Sequence, residues 1–336
     1  MLQACVVTAH HRAAPNPGVA TDCGVSRSIA AQAHAICEAL RRLGLNATVA
    51  GNSPRVRPDF AVIELDRAAV ANDPWISAVA HLKHDGVPLL VRHHDAGVAT
   101  EIFPVAEALG VLHAAPSLRI RRELIALGYP NVALLPYCFD AGREIGESTS
   151  RQTTRAELDI DDTTILLLQP TRISERKNLA GSIRYLQQLA RVAAAERLHF
   201  WVTGPTQPEF QAMVEKLLPH LPVRYTIREV SDIATAYAAC DAVLYPSTSE
   251  RFGPVIFEAV QARRPCVVGG FAALGEIEAQ GIQLFSLDEP AELLKFLAKP
   301  APRLHDVNQR RAALAFGPEV FDAAVHATIQ LLGVTP

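Results

Sequence analysis

The sequence predicts an α/β protein made of two Rossmann-like domains that face each other across a cleft. Short apolar runs alternate with amphipathic stretches along the chain, a pattern typical of parallel strands joined by helices. The chain has 336 residues, which suits two domains of roughly 150 residues each. Hydrophobic residues make up 49% of the composition and charged residues 20%. The chain therefore holds enough apolar material for two cores.

The first predicted domain comprises residues 1–145. Its strands are expected at Gln3–Thr8, Ala47–Ala50, Phe60–Leu65, Pro88–Arg92, Gly110–Ala114 and Val132–Leu135. Its helices are expected at Ser26–Leu43, Pro74–His84, Ala99–Leu109 and Ser117–Leu127. Gly44 supplies the stop signal for the first helix. The polar segment Ala9–Gly24 is expected to form a loop between the first strand and the first helix.

The second predicted domain comprises residues 146–317. After a linker and a short helix at Thr154–Leu158, its strands are expected at Thr164–Leu168, Leu198–Thr203, Val223–Ile227, Ala242–Tyr245, Cys266–Val268 and Ile282–Phe285. Its helices are expected at Asn178–Ala195, Gln207–Leu217, Ile233–Ala239 and Val255–Arg263. A final helix at Pro318–Leu332, within segment 318–334, can pack back on the first domain.

Charge and cysteine usage narrow the class of protein. The formal net charge of −3 gives no electrostatic basis for binding nucleic acid. No run approaches the ~20 apolar residues of a membrane span, and the first residues lack the basic start of a signal peptide. The six cysteines are scattered without a C-x-x-C pair, which argues against zinc and for a reducing compartment. We therefore expect a cytoplasmic protein without a transmembrane segment; peripheral membrane contact stays open.

The stretch from Glu250 to Glu258 places two carboxylates eight residues apart, directly after the predicted strand Ala242–Tyr245. Pro254 suits the first position of a helix, and Gly253 lets the backbone come close to a ligand. We expect Glu250 in the loop and Glu258 about one turn into the helix. Taken alone, this spacing is more often a pair of solvated surface residues.

The predicted helix start adds a site for an anion. It leaves N–H groups free near Val255 and Ile256, and a helix N-terminus attracts negative charge. The two carboxylates could then hold hydroxyls on either side of a bound phosphate. A nucleotide-sugar, with hydroxyl-bearing rings flanking a diphosphate, fits this arrangement.

Two cations are predicted at the same edge of the second sheet. Arg172 follows the predicted strand Thr164–Leu168, and Lys177 lies five residues further on, before a helix. Because open parallel sheets bind ligands at the carboxyl ends of their strands, these side chains could neutralise a diphosphate without a metal. Exposed loop cations are the alternative interpretation.

The first domain offers a second group of candidates. His93, His94 and Asp95 follow the predicted strand Pro88–Arg92. Adjacent histidines point in different directions, so we expect at most one of the two to face a ligand. Imidazole suits hydrogen bonding or proton transfer near neutral pH. Gly24, before the first helix, could admit a phosphate or sugar oxygen.

The segment Tyr245–Ala259 resembles the E-x7-E signature of the retaining GT-B glycosyltransferases, notably glycosyltransferase family 4. Thr171–Asn178 is similar to the Arg and Lys pair of that family, and Gly204 to the glycine after its next strand. Leu134–Asp140 is similar to the segment that closes its first domain. Arg263 and Arg264 depart from the pattern, since they stand where a glycine usually precedes a proline.

The resemblance implies sugar transfer from a nucleotide-diphosphate donor to a hydroxyl acceptor, with retention of configuration and without a metal or other cofactor. Arg172 and Lys177 would hold the diphosphate, and Glu258 the ribose. Glu250 and the backbone from Phe252 to Val255 would hold the donor sugar. His94 would lie near the reacting sugar, with His93 and Asp95 as further sugar or acceptor contacts, and Gly24 would face the donor phosphates.

The D-x-D formed by Asp159 and Asp161 resembles the divalent-metal signature of another class of sugar-transferring enzymes. It precedes its strand, so it should lie at the opposite edge of the sheet from the ligand. We interpret it as a solvated turn, and no metal site is predicted.

Three other functions stay open. A nucleotide-sugar epimerase or a phosphorylase could use the same architecture, although no cofactor-bearing lysine stands out. A catalytically degenerate sugar-nucleotide-binding subunit would bind nucleotide without transfer. The base, the sugar and the acceptor are not predicted.

Overall fold

A computed structural model of the chain describes residues 2–8, 24–51, 56–65, 73–97, 99, 110–140, 148–204, 206 and 208–335. Their backbone forms two compact units. The first contains the described residues up to Phe139 and those from Leu314 onwards, and the second runs from Asp140 to Ala313. Among the described residues, the chain passes from the first unit to the second after Phe139 and returns to the first unit at Leu314.

The first unit is built on a six-stranded parallel sheet with the order β2-β1-β3-β4-β5-β6. The strands are β1 Gln3–Thr8, β2 Asn46–Ala50, β3 Phe60–Leu65, β4 Leu89–His93, β5 Leu112–Ala115 and β6 Ala133–Leu134. The helices among the described residues of this unit are α1 Gly24–Arg42, α2 Asp73–His84, α3 Leu118–Ala126 and α12 Pro318–Gln330.

The second unit is built on another six-stranded parallel sheet, with the order β12-β11-β10-β7-β8-β9. The strands are β7 Ile165–Gln169, β8 Leu198–Val202, β9 Arg224–Ile227, β10 Ala242–Tyr245, β11 Cys266–Val268 and β12 Phe285–Ser286. The helices are α4 Ser148–Glu157, α5 Leu179–Val192, α6 Gln211–Leu217, α7 Ile233–Ala239, α8 Pro254–Gln261, α9 Leu274–Glu278, α10 Pro290–Ala298 and α11 Pro302–Phe316.

Strand β1 shows why its sequence is a continuous apolar run. Ala4 and Val6 belong to the core on one face of the sheet, and Cys5 and Val7 to the core on the other. Because side chains alternate across a strand, a parallel strand buried on both faces needs apolar residues at every position. The central position of β1 follows, since it pairs with both β2 and β3.

The last helix belongs to the first unit. Phe321, Val325 and Ile329 of α12 are buried in the same core as the inner face of α1. Arg42 of α1 binds Asp322 with two hydrogen bonds of 2.6 and 2.7 Å. These three apolar residues are four positions apart, so they form one stripe along α12 that packs on the first unit.

Three helices of the second unit are absent from the sequence prediction: α9, α10 and α11. The polar and charged segment from 302 to 316 has a narrow apolar face, since Leu314 is exposed and Ala312 buried, so its periodicity gives a weak helix signal. The predicted strand Ile282–Phe285 is displaced to Phe285–Ser286. The predicted helix Ala99–Leu109 and the loop before Gly24 lie outside the described residues. Within the described part of the chain, no helix is both long enough and apolar enough to cross a membrane.

Candidate functional site

Arg172 lies just beyond the carboxyl end of β7, at a point where two backbone segments touch. Ile173 forms a parallel bridge with Thr206. A Cβ atom placed on Gly204 would overlap the backbone nitrogen and Cα of Arg172. Gly204 is therefore required for the close approach of the β8 loop to the residues that follow β7. The Arg172 side chain is half-buried, and no ion-pair partner for it is found among the described residues.

A short 3₁₀ turn, Glu175–Lys177, positions the next two cations. Asn178 ends it in the left-handed conformation (φ 54°) and caps α5, accepting a hydrogen bond from the Gly181 N–H. The Asn178 amide also donates to the Pro246 carbonyl at 3.0 Å, and the Thr248 N–H donates to the Arg176 carbonyl at 2.9 Å. These bonds fix the turn against the loop that follows β10.

Glu250 is the shared partner of both cations. Its Oε1 accepts hydrogen bonds from the Lys177 ammonium group and, at 2.9 Å, from Arg176 Nη1. The Lys177 and Glu250 side chains are 10% and 8% exposed, whereas Arg176 is 33% exposed. We name Arg172, Arg176, Lys177 and Glu250 the Glu250 cluster. It contains three cations and one carboxylate.

The environment shifts both buried members of this cluster. Burial would raise the pKa of Glu250, but Lys177 and Arg176 outweigh it and hold that pKa below its usual value. Burial lowers the pKa of Lys177, and Arg176 and Arg172 add to this although Glu250 opposes it. Lysine in an isolated ion pair would shift upward. Burial is therefore the largest cause of the downward shift, and the two arginines act in the same direction.

Helix α8 begins as the sequence predicts, with Gly253 in the left-handed region (φ 86°) and Pro254 in its first turn. The Val255 N–H lies in this first turn, where no intrahelical acceptor exists. The expectation of a free N–H is wrong for Ile256, which donates to the Gly253 carbonyl at 3.0 Å. The available anion-binding groups at this helix start are thus fewer than expected.

Two other predicted donor contacts are engaged within the unit. Glu258 accepts a hydrogen bond of 2.5 Å from the Tyr237 hydroxyl. Burial, followed by the charge of Glu258, raises the pKa of Tyr237, so the hydroxyl remains a donor. The ring of Phe252 is buried and stacks on Phe257, with centroids 4.8 Å apart. A ligand could therefore meet Phe252 through its backbone rather than through its ring.

In the first unit, His94 lies in a fully buried polar group. Its Nε2 contacts Glu64 Oε2 at 2.5 Å and its Nδ1 contacts the Tyr137 hydroxyl at 2.8 Å. Arg92 contacts Glu64 at 3.4 Å and donates to the carbonyls of Leu135 and Pro136 at 3.0 and 2.6 Å. We name Glu64, Arg92, His94 and Tyr137 the Glu64 network. Burial would raise the pKa of Glu64, but Arg92 and His94 lower it.

The two adjacent histidines point in different directions, as expected. His93 Nε2 contacts His113 Nδ1 at 3.0 Å, and both rings lie edge-on to Tyr129. Burial lowers the pKa of His93 to about 3 and that of His113 to about 4, so both rings are neutral near pH 7. Asp95 is half-buried and accepts a hydrogen bond from the Gly97 N–H.

The structure thus joins some predicted site residues and separates others. Lys177 and Glu250, expected to face a ligand from two sides, bind each other directly. His94 has both ring nitrogens engaged inside the first unit, so it reaches a substrate only by exchanging one of those bonds. Gly24 is the first residue of α1. The roles assigned to these residues remain predictions.

Sequence reasoning missed three residues that complete these groups. Arg176 and Tyr237 contact the two motif glutamates, and Glu64 contacts His94. The adjacent pair Arg176-Lys177 before a helix is a signal for the first. A lone carboxylate inside the apolar strand Phe60–Leu65 is a signal for the last, because a buried charge needs a partner.

The D-x-D lies in a turn before β7. Asp159 adopts a left-handed conformation (φ 53°). Exposed Asp161 accepts hydrogen bonds from the backbone and hydroxyl groups of Thr163 and Thr164. The turn thus precedes the strand at its amino end, and its carboxylate serves the local backbone. Among the described residues, no three His, Cys, Asp or Glu side chains cluster as metal ligands do.

Most of the second unit matches a known protein family. Residues 150–297 match the family described as Glycosyl transferases group 1. This segment contains β7 to β12 and the whole Glu250 cluster. The sequence matches none of the curated protein sequences. The family match confirms the prediction of a glycosyltransferase domain at this position.

Solved structures extend the likeness to both units. HepE of Anabaena, in complex with UDP and glucose, superposes with a TM-score of 0.72 at 16% identity over 98% of this chain and 100% of that chain. A glycosyltransferase of Rickettsia africae gives 0.71 at 12% identity, over 98% and 97% of the two chains. Sucrose-phosphate synthase of Thermosynechococcus elongatus gives 0.66 at 14% identity, over 99% of each. The chain therefore has the GT-B fold, and its residues 150–297 are similar to the group 1 glycosyltransferases.

Proposed function

We propose that the protein transfers a hexose from a nucleoside-diphosphate sugar to an acceptor hydroxyl, with retention of configuration and without a metal. The observation that carries this proposal is the Glu250 cluster, where three cations and a single carboxylate meet at the carboxyl edge of the second sheet. An excess of fixed positive charge at that edge suits a diphosphate. Among the similar structures, HepE is described in complex with UDP-glucose, which makes UDP-glucose the first donor to test.

The proposed roles are those that the family resemblance implies. Arg172 and Lys177 bind the diphosphate and stabilise the charge that develops on it as the bond to the sugar breaks. Glu250 and the backbone from Phe252 to Val255 hold the donor sugar, and Glu258 accepts from a ribose hydroxyl. Removing one such electrostatic contact typically costs about 10²–10³ in rate.

In the proposed step, the acceptor oxygen attacks the sugar C1 from the same face as the one from which the leaving group departs. The bond between the sugar C1 and the phosphate oxygen breaks, and its electron pair stays on the phosphate. The acceptor oxygen forms the new bond to C1, and its proton passes to the departing phosphate oxygen. This route needs no enzymic acid and base on opposite faces of the bond.

The first unit is proposed to bind the acceptor. We assign the acceptor to it, with His94 near the donor sugar, His93 and Asp95 as further candidate contacts, and Gly24 toward the phosphates. The Glu64 network would then hold His94 in a fixed orientation. The contacts of Glu64 with both Arg92 and His94 support this positioning.

The experiment that tests the proposal begins with thermal unfolding in UDP-, GDP-, ADP- and TDP-glucose. We expect one of these to raise the melting temperature, because a ligand of the native state stabilises it. Transfer from that donor to a panel of sugar acceptors is then measured in EDTA, and proton NMR reads the configuration at C1. Retained configuration with full activity in EDTA supports the proposal. Stabilisation without turnover would indicate a degenerate binding subunit, and an inverted or metal-requiring reaction would contradict the mechanism.

A further inference from the structure

Arg176 belongs to the Glu250 cluster but differs from its neighbours in position. Arg172 and Lys177 match the family resemblance, whereas Arg176 lies between them and binds Glu250 through Nη1 at 2.9 Å. Its backbone carbonyl accepts the Thr248 N–H at 2.9 Å. The turn that carries Arg176 and the loop that carries Glu250 are therefore linked by both backbone and side chain.

Charge balance distinguishes Arg176 from the other two cations. The diphosphate of a sugar nucleotide carries one negative charge on each phosphate. Arg172 and Lys177 balance these two charges, and Arg176 balances the carboxylate of Glu250. Without a donor, Lys177 also contacts Glu250. When Lys177 turns to a phosphate, Glu250 keeps one cation, Arg176.

We propose that Arg176 is a positioning residue that keeps the Glu250 carboxylate ionised and in place while Lys177 binds the donor diphosphate. This inference rests on the proposed function, because it requires a diphosphate at Lys177 and a sugar at Glu250. Arg176 itself contacts neither. Its 33% exposure leaves room for its side chain to follow Glu250 when the lysine moves.

The groups that face Glu250 make this role testable through pH. Lys177 and Arg176 face it from the 3₁₀ turn, Tyr245 from β10 and Ser247 from the loop, and Arg172 acts on Lys177. Burial would raise the pKa of Glu250, and the two cations lower it. With Lys177 on the phosphate and Arg176 removed, no cation offsets burial. The pKa of Glu250 then rises, so Glu250 is protonated and loses its charge at a higher pH than in the wild-type protein.

The test compares Arg176→Gln, Arg176→Lys, Arg172→Gln and the wild-type protein between pH 5.5 and 8.5. Arg197→Gln is a matched control, since Arg197 is an exposed arginine of the same unit at the amino end of β8. Calorimetry measures UDP binding, and UDP release from UDP-glucose gives kcat and KM. Thermal unfolding establishes that each variant is folded.

We expect Arg176→Gln to keep UDP affinity within about threefold of wild type, because Arg176 binds no phosphate. Relative to wild type, its kcat should be about tenfold lower at pH 6 than at pH 8. A loss of this size corresponds to one charged hydrogen bond. Arg176→Lys should restore most of this, since it restores the charge. Arg197→Gln should match wild type throughout.

Two results would overturn the inference alone: an Arg176→Gln loss of UDP affinity equal to that of Arg172→Gln, or a kcat whose pH profile is unchanged. The first would make Arg176 a phosphate ligand, and the second would make its contact with Glu250 merely structural. A wild-type protein that binds neither UDP nor UDP-glucose would instead contradict the proposed donor, and this inference with it.

Discussion

In the first unit, the Glu64 network buries one carboxylate against one arginine and one histidine, and the remaining arginine donors bind backbone carbonyls. In the second unit, the Glu250 cluster sets three cations against one carboxylate, with Arg176 partly exposed. Both groups lie at the carboxyl ends of strands in parallel sheets. The comparison indicates that the first is balanced within the protein, whereas the second needs an additional anion.

The difference appears in how each group responds to its surroundings. The pKa of Glu64 and that of Glu250 are both lowered against the effect of burial. Lys177 is a cation whose pKa is lowered as well, mainly by burial, with Arg176 and Arg172 acting in the same direction and Glu250 opposing them. A network whose charges are balanced stabilises the fold, whereas a cluster with excess positive charge can bind an anionic ligand. The two can therefore be separated by experiment.

The largest expected effect is on stability, from Glu64→Gln. This change leaves Arg92 buried without a counter-ion, which typically costs about 3–5 kcal/mol. Glu250→Gln should cost less, because Arg176 can turn to solvent and Lys177 can lose its proton. Urea unfolding gives the total change, and hydrogen exchange resolved by unit locates it. Equal losses of unfolding free energy in the two variants would contradict the distinction between the Glu64 network and the Glu250 cluster.

Gly204→Ala is expected to weaken UDP binding about tenfold to a hundredfold, the cost of one charge-assisted hydrogen bond of about 1.5–3 kcal/mol. The added methyl group would overlap the backbone of Arg172, so the guanidinium group moves away from the cluster. Gly275→Ala is the matched control, since a Cβ there meets no atom within 4 Å. Calorimetric titration with UDP measures both. Unchanged affinity in Gly204→Ala would mean that the position of Arg172 does not matter.

A smaller effect is expected from the two buried histidines of the first unit. Their pKa values of about 3 and about 4 in the native state lie below the ~6.5 of an unfolded histidine. As pH falls below ~6.5, the unfolded chain takes up protons that the folded chain does not, so stability decreases. We expect a loss of about 1 kcal/mol per histidine between pH 6.5 and 5.5.

Urea unfolding as a function of pH measures this dependence, and His113→Gln should reduce its slope. The native pKa values imply that the loss levels off near pH 4 for His113 and near pH 3 for His93. A slope that does not change in His113→Gln would assign the pH dependence to the Glu64 network instead.

Much of the fold could be predicted because parallel strands buried on both faces are apolar throughout. The bounds of Phe60–Leu65, Ala242–Tyr245 and Cys266–Val268 agree with the structure. The edge at which Arg172 lies also follows from its place after a strand. Helix α11 was missed because its sequence is mostly polar and charged, and its narrow apolar face gives little periodicity.

The pairing within the candidate site could not be predicted from spacing. Lys177 reaches Glu250 because Asn178 turns left-handed and its amide binds the Pro246 carbonyl. Both depend on atoms distant in sequence. Glu64 was similarly hidden, since in sequence it is one polar residue in an apolar strand and its partners follow 28 and 30 residues later.

The central claim is that the excess charge of the Glu250 cluster is a diphosphate site. Calorimetric titration of UDP into wild type, Arg172→Gln, Lys177→Gln and Arg197→Gln tests it most directly. We expect each of the first two substitutions to weaken UDP binding about tenfold to a hundredfold, and Arg197→Gln to bind UDP like wild type. Wild-type affinity in Arg172→Gln and in Lys177→Gln would contradict it.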